Sequence, residues 1–379
     1  MAAGSYIDAT NTTLPFAERW DGTSWSVEPT VAVSGAMFRG VSCESASYCL
    51  AVGVTVSSGG QETPFAETWN GTSWVVRPPP EPVGGTFPEL SAVSCRVAVT
   101  WCVAVGSYDS SSASGDVPLA EIWTGQAWYV DFPPFPPPPA RTEEESGLAG
   151  VSCPTVSACV AVGSAAGNPP LIERFDGISW SIQSDPAPVD VASGNNAPLQ
   201  GVSCRAADAC NVVGGYPAAT AEEATLAEGW NGSMWSLEQT QNPGFRGSYE
   251  ENLLAGVSCG AAAVCEAVGL DNTSSDETAP LAEEWNGTDW SVQSIPVLSG
   301  NEPAVSGCDT AGDEVLVAPA NPSLSIQASA GVPVGGNVQA AATLTGGDAP
   351  GGQITFSLYG PSCETLYFTR TVTVTGNGR

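Results

Sequence analysis

The sequence predicts an all-β chain: a six-bladed β-propeller of four-stranded antiparallel blades, followed by part of a β-sandwich. Three observations predict it. A unit of about 53 residues recurs through positions 1–319, the Cys residues come in regular pairs, and 43 Gly and 31 Pro leave little room for long helices.

The repeat has four segments. The first ends in Val-Ser-Cys, at 38–43, 90–95, 148–153, 199–204 and 254–259. The second opens with a Cys and ends in Val-Gly, at 49–53, 102–106, 159–163, 210–214 and 265–269. The third reads Leu/Phe-Ala-Glu-x-Trp, at 65–69, 119–123, 226–230 and 281–285, with 171–175 a variant that ends in Phe175. A tight Asn/Asp-Gly turn then leads to a fourth that opens with Trp25, Trp74, Trp128, Trp180, Trp235 or Trp290.

Each segment is short, rich in Val, Leu and aromatics, and bounded by Gly, Asn, Ser or Pro, which reads as strand. One such meander buries too little by itself, so neighbouring units must cover each other's faces. The Trp spacing suits a propeller blade. Residues 1–6 match the end of a second strand, while 304–308 and 314–318 match first and second strands with nothing behind them. Together the two ends make one blade and close a ring of six. The competing expectation is a truncated reading frame that has lost upstream blades and a signal peptide, which would allow seven.

The Cys pairs face each other at the ends of the first two strands: Cys43 with Cys49, Cys95 with Cys102, Cys153 with Cys159, Cys204 with Cys210, and Cys259 with Cys265. Antiparallel partners lie within disulfide reach. Loop entropy gives roughly 2 kcal/mol per bridge. Zinc sites prefer C-x2–4-C, and thioredoxin-like chemistry prefers C-x-x-C, so structural disulfides are the better reading. Cys308 and Cys363 have no partner in this pattern.

The Trp pair of each unit closes the third-to-fourth hairpin across a turn whose Gly supplies positive φ. Sugar platforms are the functional alternative, but recurrence in every unit favours blade packing. The Asn-Gly-Thr/Ser triplets match a glycosylation acceptor, and turn chemistry explains them without it. Glu18, Glu67, Glu121, Glu173, Glu228 and Glu283 hold one place in every repeat. A hydrogen-bonded or solvated structural role is expected for them over a cation site. Pro133 to Pro139 with the acidic run behind it reads as an extended loop between blades, with a docking site the sharper alternative.

Forty acidic residues stand against 10 basic ones, all Arg, and there is no His or Lys. That excludes a Ser-His-Asp triad, a Cys-His pair, His-ligated metal and Lys Schiff-base chemistry. A net charge of -30 repels nucleic acid and anionic lipid. No apolar stretch approaches the roughly 18 residues a membrane span needs. The chain is therefore read as an extracellular or cell-surface protein, monomeric, with no cofactor and no metal.

Val-Gly ending the second strand, then Glu-x-Trp, a turn and a further Trp, resembles the kelch-type propeller repeat; Gly214-Gly215 is the copy with a true Gly-Gly. The Cys-bearing unit is similar to secreted repeats of high-GC actinobacteria. Galactose oxidase-like propellers need His for copper, which this chain lacks, and the Asp21 to Trp25 turn is similar to a sialidase Asp-box with its order changed. From about Asn321, segments of period two at 323–330, 337–344, 353–359 and 368–375 read as a sandwich, and 330–336 with 352–360 resembles bacterial Ig-like domains. The expected domains are 1–319 and 320–379.

These readings imply a non-catalytic binding or scaffold protein whose propeller disc meets a protein or a glycan. The rival is a glycosidase or lyase that uses carboxylates in the propeller cleft, drawn from acids unique to one blade.

Overall fold

The computed structural model describes residues 1–96, 100–111, 115–135, 146–165, 169–186, 197–218, 223–242, 252–260, 264–272 and 278–295, with four further strands after residue 322. The chain divides into two compact units, Met1–Glu314 and Val315–Arg379. The expected boundary at 319/320, the segments 304–308 and 314–318, most of the Pro-rich loop, Cys308 and Cys363 lie outside the described residues.

The first unit is a six-bladed β-propeller of antiparallel sheets in chain order. The first sheet has three strands, β1 (Ala2–Ile7), β2 (Thr13–Trp20) and β3 (Trp25–Val27). The second has β4 (Ala36–Ser45), β5 (Tyr48–Val56), β6 (Glu62–Trp69) and β7 (Trp74–Val76). The third has β8 (Gly85–Arg96), β9 (Trp101–Ser110), β10 (Asp116–Trp123) and β11 (Trp128–Asp131). The fourth has β12 (Gly147–Thr155), β13 (Ala158–Ser164), β14 (Pro170–Phe175) and β15 (Trp180–Ile182). The fifth has β16 (Leu199–Ala206), β17 (Ala209–Pro217), β18 (Glu223–Trp230) and β19 (Trp235–Glu238). The sixth has β20 (Asn252–Cys259), β21 (Cys265–Asn272), β22 (Thr278–Trp285) and β23 (Trp290–Val292). The opening segment pairs with β2 as a second strand would, so among the described residues the first sheet has the counterparts of the second, third and fourth strands.

Many strands run longer than the repeat pattern marks, because polar residues upstream of the apolar stretch keep the ladder going: Val56 pairs with Glu62, and Thr55 with Thr63. The five complete sheets share a bulge on the inner strand, where the register slips between Phe38 and Gly40, Leu90 and Ala92, Leu148 and Gly150, Leu199 and Gly201, or Leu254 and Gly256. The bulge swings a carbonyl across the second strand, and it explains the recurrent Val-Gly. A Cβ at Gly53, Gly106, Gly163, Gly214 or Gly269 would run into the carbonyl oxygen of Met37, Glu89, Gly147, Pro198 or Leu253.

The core lies between sheets, not within them. Five clusters each join two successive sheets; in one, Val103, Val105 and Ala120 of the third meet Leu148, Leu171, Phe175 and Trp180 of the fourth. Each such side chain contributes ~1.5–3 kcal/mol only while the next sheet covers it, so the repeats stand or fall together. The exceptions mark the two end faces. Trp20 and Trp25 are 47% and 52% exposed, and Val268 is 56% exposed where its equivalents Val52, Val105, Val162 and Val213 are wholly buried or nearly so.

The five bridges join Cys43 to Cys49, Cys95 to Cys102, Cys153 to Cys159, Cys204 to Cys210 and Cys259 to Cys265, with Cα atoms 3.9–4.0 Å apart. The hairpin turns hold Gly22, Gly71, Gly125, Gly177, Gly232 and Gly287 at φ between 84° and 103°. After residue 322, β24 (Ser323–Ala328) pairs with β25 (Ala340–Thr345), and β26 (Gly352–Tyr359) with β27 (Leu366–Val374), as two separate antiparallel pairs.

Candidate functional site

Adjacent sheets are joined by recurring hydrogen bonds. In four of the five Val-Ser-Cys copies the Ser accepts the Cys N–H of the following sheet: Ser42 from Cys95 at 2.9 Å, Ser94 from Cys153 at 3.0 Å, Ser152 from Cys204 at 2.9 Å and Ser203 from Cys259 at 3.0 Å. Indoles act in the same way. Trp128 donates Nε1–H to the Arg77 carbonyl at 2.9 Å, Trp180 to Asp131 Oδ2 at 3.1 Å, and Trp290 to Glu238 Oε2 at 2.8 Å, each reaching the residue three places past the Trp of the preceding fourth strand. The sequence showed the Ser in every copy but gave no sign of what it touches.

The recurring glutamates are not solvated. Glu67, Glu121, Glu173, Glu228 and Glu283 are wholly buried between sheets, and only Glu18, on the uncovered first face, is half-buried. Backbone donors come from the loop that ends the preceding sheet, six residues past its fourth-strand Trp, and Glu283 Oε1 also accepts from the Thr225 hydroxyl at 3.3 Å. Val31 N–H donates to Glu67 Oε2 at 3.2 Å, and Gln241 N–H to Glu283 Oε2 at 3.0 Å. The same place is Pro80, Pro134 and Pro186 in the other three, and proline has no N–H to give. Both oxygens of Glu121 and of Glu173 accordingly lack a donor among the described residues. Burial pushes Glu121 up to about 8, and burial with Asp131 nearby pushes Glu173 to about 8. Glu67, with its one donor, is raised to about 7, again by burial. Glu228 is raised by burial and then by the Asp185 carboxyl it meets. A structural role inside the packing fits these residues: Glu67 and Glu283 are hydrogen-bonded, whereas Glu121 and Glu173, buried with no donor among the described residues, are held as neutral acids rather than as solvated carboxylates.

Two crevices lie beside the third and fourth sheets. The inner one, about 250 Å³, is polar and lies along the inner strands of the third to fifth sheets, lined by Glu89, Ser91, Ser107, Asp116, Ser146 and Gln200 among others. At its edge Glu89 Oε2 takes Arg39 Nη2 at 3.0 Å, and Glu62 is raised by burial and then by Glu89. Among the described residues, no cluster of three or more His, Cys, Asp or Glu is arranged to hold a metal ion.

The outer crevice, about 410 Å³, lies between the third and fourth sheets near the hairpin tips, lined by Trp101, Ile122, Thr124, Val156, Phe175 and Gly177. Trp101 stacks on Phe175 with ring centres 6.4 Å apart and planes 24° apart. The backbone N–H of Trp101 is held by the Glu44 carboxylate. The same place differs at each interface. Between the second and third sheets Tyr48 stands where Trp101 does, and its hydroxyl takes the Trp123 indole N–H at 2.6 Å. Between the fourth and fifth sheets Arg174 stands at the register of Ile122 and Trp230 at that of Phe175. The Arg174 guanidinium lies 4.8 Å from the Trp230 ring centre and donates to the Ala207 carbonyl at 3.0 Å. That interface is filled by the chain's own cation, whereas the one at Ile122 stays open.

The chain matches no family model, and no curated protein matches it. Several solved structures are similar in fold. One is the fungal lectin of Aleuria aurantia, described as a six-bladed β-propeller with a novel fucose recognition mode, at 14% identity over 76% of this chain and 89% of that one, TM-score 0.42. A second is the SapL1 lectin in complex with α-methyl fucoside, at 11% identity over 79% and 97%, TM-score 0.46. A third is an endo-arabinanase from Bacillus licheniformis, at 7% identity over 65% and 93%, TM-score 0.34. What each binds or cleaves is a property of that protein.

Among the described residues, no helix is long and apolar enough to cross a membrane.

Proposed function

We propose that this chain is a non-catalytic extracellular binding or scaffold protein, with the propeller as its interaction disc for a protein or a glycan. The observation that carries the proposal is the outer crevice, whose lining is aromatic, aliphatic and hydroxyl-bearing, and none of whose lining side chains titrates. Such a surface recognises and does not cleave. The one acid common to every repeat is taken up in blade packing. On this reading the propeller is kelch-like, 320–379 is an Ig-like spacer, and the five bridges suit an oxidising compartment.

The test is binding of the purified chain to glycan arrays and to immobilised surface proteins, with Trp101→Ala beside it. Capture weakened about tenfold or more by the substitution supports the proposal, tenfold being the usual worth of one well-placed aromatic contact. Hydrolysis of any glycoside or polysaccharide, abolished by a single Asp or Glu substitution, overturns it.

A second reading, a glycosidase or lyase, rests on Glu89 and Asp116 at the inner crevice. Glu89→Gln and Asp116→Asn in a hydrolysis assay decide it.

A further inference from the structure

The geometry points to the outer crevice as the seat of an arginine side chain from a basic segment of a partner protein. This rests on the binding-protein reading and names the chemistry of its partner. The repeat itself shows what the place accepts. One interface along, the same cleft is occupied from within by Arg174, over the Trp230 ring and donating to the Ala207 carbonyl, the third residue past the first-strand Cys204.

Between the third and fourth sheets the same elements recur without the guanidinium. Ile122 replaces Arg174, Phe175 replaces Trp230, and Val156, three past Cys153, replaces Ala207. No described donor reaches the Val156 carbonyl, because Phe175 lacks the indole N–H that Trp69 sends to Ala46 at the matching turn in the second sheet. Trp101 adds an aromatic wall that the fourth sheet, with Ala158 in that place, does not have. Val156 is 43% exposed, so the mouth is open to solvent.

An arginine fits these groups better than a lysine does. Its plane stacks on an indole and its fork still reaches a carbonyl, while an ammonium is a strongly hydrated point charge. The field of a chain at net charge -30 draws any cationic segment inward. The crevice then sorts guanidinium from ammonium.

The experiment titrates the full chain, by calorimetry at 150 mM salt, with two blocked peptides of equal charge, Gly-Arg-Gly-Arg-Gly and Gly-Lys-Gly-Lys-Gly. The Arg peptide is expected to bind about tenfold more tightly, the discrimination that one stacked guanidinium contact supplies. Ile122→Arg, which gives this interface the chain's own guanidinium, is expected to remove that preference and leave the thermal midpoint unchanged or raised. Should that variant fail to fold, Trp101→Ser tests the same contact from the rim. Arg174→Ala vacates the neighbouring cleft and is expected to raise the stoichiometry from one to two. Equal affinity for both peptides, which net charge alone would give, overturns the inference, as does a preference that survives both Ile122→Arg and Trp101→Ser. So does an outer crevice that takes a neutral oligosaccharide and not the peptide, a result that leaves the binding-protein reading standing.

Discussion

Replacing Glu121 by Gln removes one proton-binding group and changes almost nothing else. The side chain is wholly buried, neither oxygen has a donor among the described residues, and burial lifts its pKa to about 8 from 4.5. The folded state therefore keeps a proton that the unfolded chain releases above pH 4.5. Stability from this group is complete below 4.5, falls as pH rises towards 8, and is flat beyond. At about 1.36 kcal/mol per unit, the loss is about 3 kcal/mol at pH 7 and about 5 kcal/mol above pH 8. Gln is as polar as a neutral Glu and fills the same space, so the variant should match the parent near pH 5 and exceed it by those amounts at pH 7 and 8. Urea unfolding followed by Trp fluorescence at pH 5, 6, 7, 8 and 9 measures the gap. A gap that stays constant across that range would refute the reasoning. Pro80→Ala supplies the N–H that Val31 provides in the preceding copy, so it should shrink the parent's pH dependence and leave that of Glu121→Gln unchanged.

Other consequences concern the repeat itself. Gly106→Ala drives a Cβ into the Glu89 carbonyl and should cost about 2–4 kcal/mol, whereas Gly256→Ala, whose Cβ would find only Val268 Cγ2 at 4.0 Å, should gain about 0.5–1 kcal/mol; chemical denaturation of both variants shows whether the signs differ. Ser152→Ala leaves the Cys204 N–H without its inter-sheet acceptor and should cost about 1–3 kcal/mol, read as faster exchange of that amide. Opening the Cys153–Cys159 bridge by a double Ala substitution should cost about 2 kcal/mol, measured by the shift in urea midpoint at an unchanged slope.

The strands, the Cys pairing and the hairpin turns could be read from the sequence because each is local. A Cys six or seven residues from its partner, or a Gly that must take positive φ in a hairpin turn, states its structure within a few positions. What could not be read lies between repeats. Nothing in the string Val-Ser-Cys tells that Ser94 accepts from Cys153, some 59 residues on. Nor does Ala-Glu-x-Trp show that Glu121 is shut between two sheets, with Pro80 rather than an N–H before it. The expected hydrogen bonds are present at Glu67 and Glu283 and missing at Glu121 and Glu173, where the proline that removes the donor lies in the preceding repeat and so is not visible beside the Glu. The outer crevice has a visible signal only in hindsight: Phe175 stands at the end of its third strand where the other copies have Trp.

The repetition also decides where novelty can arise. Each sheet meets only its neighbours, so a substitution at one interface is confined to that interface and leaves the others as they were. The Cys, Ser, Gly and Trp positions are fixed by the bulge, the bridge and the turn that every copy needs. The third-strand residue just after the Glu carries no such duty, and it is Thr68, Ile122, Arg174, Gly229 and Glu284 in successive sheets. Of these, Arg174 closes its own cleft and Ile122 leaves its cleft open. That register position, with Trp101 and Phe175 beside it, is what makes the interface between the third and fourth sheets differ from its neighbours.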